Sequence, residues 1–197
     1  MSDTRLRELE RLWKETGSSD DEAAYLLERV RVGDLTQERL ELAAYSGHEG
    51  ALLCVNVAPP EDLVPWLRGL TAPNLVLERA AADCALTALA SLPPHEVADL
   101  RWETIRAALA AWADAPGSER AAEFEAANAL VHGLPLPTAE AEETILALGC
   151  VLLAPVRSLA SAAALIGARK VKHSVAAFAL GHAGSGGVTP GVISDSG

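Results

Sequence analysis

Apolar positions recur at spacings of three and four along most of the chain, the period of one face of an α-helix. Residues 4–16 place Leu6, Leu9, Leu12 and Trp13 on one stripe with charges opposite, and Gly17 ends the segment. Ser19 and Glu22 have capping-box spacing, and the acidic run beside them suits the positive end of a helix dipole. The helix they open ends at Gly33; Asp34 or Thr36 caps the next, which ends at Gly47. ALLCVNV, residues 51–57, is a short apolar segment closed by Pro59 and Pro60, and EDLVPWLRGL follows as another short helix.

Longer helices are expected over 74–92, stopped by Pro93 and Pro94, and over 96–113, where Trp102, Ile105, Leu109 and Trp112 make a broad apolar face. Ser118 opens a helix ending near Gly133, and Thr138 opens another whose first turn is rich in glutamate. Gly117, Gly133, Gly149 and Gly167 fall sixteen to eighteen residues apart, the spacing stacked helical hairpins would produce. From Thr144 to Ala168 only Arg157 is charged, but it and Pro155 divide the stretch into pieces shorter than the roughly twenty residues a membrane span needs. Two buried helices are therefore expected, and a membrane role is disfavoured.

Composition agrees with an all-α fold. Thirty-eight residues are alanine and eight are aromatic, which favours close-packed helices over strands. The pattern predicts about nine or ten helices in a HEAT-like array of antiparallel hairpins, or else a compact helical bundle with the same local signals. Residues 1–183 are expected to form one helical domain, and 184–197, rich in glycine and serine, a flexible tail.

The net charge of −11 argues against nucleic acid as a partner, because protein binders of phosphate backbones gain affinity through Lys and Arg. Residues 1–155 carry 12 Lys and Arg against 26 Asp and Glu, a balance of −14, whereas 156–197 carry four against one, a balance of +3. Cys54, Cys84 and Cys150 are odd in number and set in apolar sequence, which suits buried thiols in a reducing cytoplasm better than disulfides. The charged start, MSDTRLRELERLW, has no apolar run of a signal peptide.

Two passages resemble known proteins. Residues 171–185, VKHSVAAFALGHAGS, look like a HEAT-type repeat helix, with a basic residue, an alanine-rich face and a closing ALG. Residues 25–50, YLLERVRVGDLTQERLELAAYSGHEG, are similar to the N-terminal part of a group of helical proteins of myxobacteria and planctomycetes, in which a tyrosine-leucine helix, a glycine, LTxERL and LAAYxGH follow one another. The resemblances imply a helical array whose faces bind something, and bring no catalytic residue. Some bacterial proteins of this kind look like immunity proteins.

Candidate chemistry is sparse. His48-Glu49 has the beginning of a zinc-protease motif, but position 52 is leucine where the second histidine would stand. His95, Glu96 and Asp99 come nearer, yet they lie at a helix start, where an early acidic residue is explained by the dipole. His132, His173 and His182 sit at or near the ends of apolar segments and are read as helix-end residues. No metal, cofactor or catalytic set is assigned. Trp102 and Trp112 belong to the core; Trp13 and Trp66, near short or terminal helices, are the weak candidates for anchoring a partner. GHEG, residues 47–50, is echoed by GHAG at 181–184, without the glutamate, and reads as a helix-ending corner.

These observations point first to a non-catalytic interaction module in the cytoplasm, its acidic helical surface meeting a basic protein surface. An immunity protein neutralising a toxin is a second reading. An enzyme whose helical-bundle site is scattered along the sequence is a third.

Overall fold

The computed structural model describes residues 2–70, 74–94, 97–131 and 138–181, and among them it contains eleven helices and no strand. The chain is all-α. The helices are α1 (Ser2–Thr16), α2 (Ser19–Val32), α3 (Gln37–Tyr45), α4 (Glu49–Cys54), α5 (Leu63–Arg68), α6 (Asn74–Ser91), α7 (Leu100–Asp114), α8 (Ser118–Val131), α9 (Ala139–Gly149), α10 (Pro155–Ile166) and α11 (Ala168–Leu180). The tail expected over 184–197 lies outside the described residues.

Most helix ends fall where the punctuation puts them. Thr36 and Thr138 each cap a helix by accepting the N–H three residues on, from Arg39 and Ala141. Gly33 closes α2 in the left-handed region, at φ 83°, where a residue with a Cβ would be strained. Two starts differ from expectation. Ser18, not Ser19, caps α2, its hydroxyl accepting from Asp20 N, while the Ser19 hydroxyl donates to Glu49 on another helix. The helix expected from 96 begins at Leu100, because Asp99 is bound as its cap by Arg101 N.

α6 is the hub. Leu77, Ala80, Ala81, Ala82, Cys84, Ala85, Ala88 and Leu89 are all buried, so more than half of the helix's circumference is covered, while Leu75 remains exposed. It packs against α7, α9, α10 and α11. Its alanines explain how four neighbours fit, since a helix with so little side-chain bulk can be approached closely from several directions. The two apolar pieces divided by Pro155 are α9 and α10, which pack together and on α6 as buried helices. Two of their buried hydroxyls bond to backbone: Thr144 donates to Glu140 O at 2.8 Å and Ser158 to Ala147 O at 2.6 Å.

The N-terminal hairpin stands on α4. α1 packs against α2, and α2 against α4. Trp13 stacks on Tyr25, with centroids 5.4 Å apart, and Arg5 lies 3.7 Å from the buried carboxylate of Glu28. The stripe of α1 is less covered than its sequence suggests: Leu6, Leu9 and Trp13 are half-buried and Leu12 is exposed.

Among the described residues, the last helix returns to the first ones. α11 packs on α3 as well as on α6 and α10. Arg29 donates to Leu180 O at 2.7 Å, and Arg39 donates to Ala179 O at 2.7 Å and Phe178 O at 2.9 Å. Lys172, on the same helix, donates to Pro60 O at 2.6 Å and Glu61 O at 3.1 Å, tying down the segment before α5.

Candidate functional site

The GHEG corner is where titratable groups from distant parts of the sequence meet. Gly47 turns the chain after α3, and His48 then caps α4: its Nδ1 accepts from Ala51 N at 3.4 Å. That fixes the ring so that Nε2 faces α2, 3.7 Å from Glu22 Oε1. The corner both ends one helix and starts the next.

Glu22 is buried by the close crossing of α2 and α4, and Gly50 makes the crossing possible. A Cβ at Gly50 would meet Glu22 Oε2 at 2.6 Å and Cγ at 2.9 Å. Burial, and after it the charge of Glu49, pushes the Glu22 carboxyl up to about 7. Glu49 itself is exposed and accepts from Ser19. Cys54 completes the group, its thiol donating to Gly50 O at 3.2 Å; burial, reinforced by the charge of Glu22, holds it above the ordinary thiol range. A thiol so held is a poor nucleophile. Among the described residues, no three His, Cys, Asp or Glu side chains are placed to hold a metal ion.

The remaining candidates separate. Trp66 is fully buried, with Lys172 Nζ 5.7 Å from its ring centroid, so it faces the interior and not a partner. The core reading, the more favoured one for Trp66, is what the structure shows: α10 packs on α5 and Lys172 of α11 lies over the ring. Trp13 is half-buried on Tyr25. Trp102 and Trp112 are core residues, each 3% exposed. His173 lies in the middle of α11 and is exposed, not at a helix end. His95, Glu96, His132 and His182 lie outside the described residues. Asp99 pairs with Arg101 at 2.7 Å, and that hydrogen bond holds its carboxyl down at about 2. The three thiols are free; Cys84 is buried, while Cys54 and Cys150 are half-buried, more open than their apolar neighbours suggested.

Acidic side chains also collect on α8 and α9. On α8, Glu119, Glu123 and Glu125 are exposed; on α9, Glu140 and Glu142 are exposed and Glu143 is half-buried. Arg120 is the basic residue of these two helices, and it reaches back to Ala111 O on α7. α8 packs on both α7 and α9. No helix of the described residues is long and apolar enough to cross a membrane. No family model, curated protein or solved structure matches the chain.

Proposed function

We propose that this chain is a non-catalytic interaction module of the cytoplasm whose α8–α9 face binds a basic protein surface. The observation that carries the reading is the six glutamates against one arginine on two adjoining helices, five of the six exposed. A one-signed face of this kind steers a basic partner and fixes its register. The scaffold behind it is a compact bundle built on α6, in preference to an open HEAT-like array. In an array each repeat touches only its sequence neighbours, whereas α11 returns to α3 and α6 touches four other helices.

The test is capture from a native lysate on the immobilised full chain, beside a variant carrying Glu119→Lys, Glu123→Lys and Glu125→Lys. The reading expects a basic protein, released between about 0.1 and 0.5 M salt as the charges are screened, and absent from the triple variant. Equal capture by both chains, or recovery of nucleic acid, would rule it out.

A further inference from the structure

Three guanidiniums from three helices meet at the C-terminal end of α11. Arg29 of α2 gives Nη1 to Leu180 O and Nε to Asp34, and Arg39 of α3 gives Nε and Nη2 to Ala179 O and Phe178 O. Arg79 of α6 stands with its guanidinium carbon 5.2 Å from the Phe178 ring centroid, and its Nε is buried without a hydrogen-bond partner. The carboxylate facing this group is Asp34, whose side chain is 54% exposed. A helix C-terminus carries about half a negative charge. The α11 carbonyls and Asp34 engage Arg29 and Arg39, while Arg79 keeps a buried Nε without an acceptor, so three positive charges stand against one carboxylate and a helix end.

The backbone leaves an approach at the same point. Gly181 closes α11 at φ 79° and is exposed, and a Cβ built on it would lie 3.4 Å from Arg39 Nη2 and 3.6 Å from Arg29 Nη2. Two Nη2 groups from different helices converge on one solvent-facing position where the chain has no side chain.

We propose that Arg29 and Arg39 beside Gly181, with Arg79 over the Phe178 ring, form a binding site for a small oxyanion of the phosphate or carboxylate type. Guanidinium forks match such anions geometrically, and charge-assisted bonds to them are stronger where the donors are desolvated. An anion here would also relieve the crowding of like charges: burial first, and then the charge of Arg29, holds Arg39 below its ordinary basicity, with Arg79 adding to the effect. The site stands apart from the acidic α8–α9 face and does not depend on it.

Inorganic phosphate and acetate, each titrated into the full chain against chloride at matched ionic strength, test the site by thermal unfolding. One of the two oxyanions raises Tm by about 3–5 °C at roughly ten times its Kd, and the arm that responds identifies the anion class. Arg79→Gln weakens the response at least tenfold in concentration. Gly181→Asp, strained in the left-handed conformation but less so than most side chains, supplies a carboxylate from the chain itself and removes the response. Indistinguishable effects of phosphate, acetate and chloride, or an undiminished response in both variants, overturn the proposal.

Discussion

Glu22 Oε1 lies 3.7 Å from His48 Nε2, with the carboxyl pressed against Gly50 at the crossing of α2 and α4. The carboxyl is lifted to about 7 from an ordinary 4.5, by burial and then by Glu49. Between those values the folded chain binds more protons at this site than the unfolded chain. Stability therefore falls as pH rises through the window, by up to about 3 kcal/mol from this group. Glu22→Gln is expected to raise stability near pH 8, to change it little near pH 5, and so to flatten the profile. Urea unfolding at both pH values measures this, and an unchanged slope would show that Glu22 does not titrate there.

Tyr45 occupies the position a side chain at Gly69 would need. Its hydroxyl donates to Pro65 O and Trp66 O, both at 3.2 Å, and a Cβ at Gly69 would fall 2.0 Å from that oxygen. Gly69→Ala must displace the ring, and a loss of about 2–3 kcal/mol is expected. Gly69→Ala combined with Tyr45→Phe should recover less than half of it, because the ring carbon Cζ, 2.6 Å away, still clashes.

The two tryptophans singled out as possible anchors should behave differently. Trp66→Ala opens a cavity in the core and is expected to destabilise by about 3–5 kcal/mol. Trp13→Ala removes a half-buried ring from a helix that packs on α2, and about 1–2 kcal/mol is expected. Equal losses in chemical unfolding would contradict the burial of Trp66.

Lys172 holds two backbone carbonyls that precede α5 and stands over Trp66. Lys172→Met keeps the aliphatic stem and removes the donors, so a loss of about 1–2 kcal/mol is expected. Amide exchange should quicken first over residues 61–68, with α8 unaffected.

What the sequence discloses is local, and the helix ends show how far that reaches. Gly33, Thr36 and Thr138 announce their roles because a cap acts on an N–H or carbonyl within four residues. Adjacent serines defeat the same logic: Ser18 and Ser19 have equal capping chemistry, and what decides is that Ser19 is drawn to Glu49, thirty residues away. Trp66 looked exposable because its own helix is short. It is fully buried, with α10 packed on α5 and Lys172, more than a hundred residues on, over its ring, partners that no window along the chain contains. The Glu22–His48 pair is hidden from a linear reading for the same reason, although two glycines flank His48-Glu49. GHEG is a corner in the structure as in the sequence, and the structure adds that His48 starts α4 and presents Nε2 to Glu22 of α2.

The hold of Arg29 and Arg39 on α11 joins residues 139 to 151 positions apart. On a ribosome, the second and third helices would be finished long before the strand of carbonyls they grip has been made. Their arginines must wait in water, and the N-terminal quarter of the chain cannot reach its final free energy until Leu180 has left the exit tunnel. α11 therefore completes helices that are synthesised well before it.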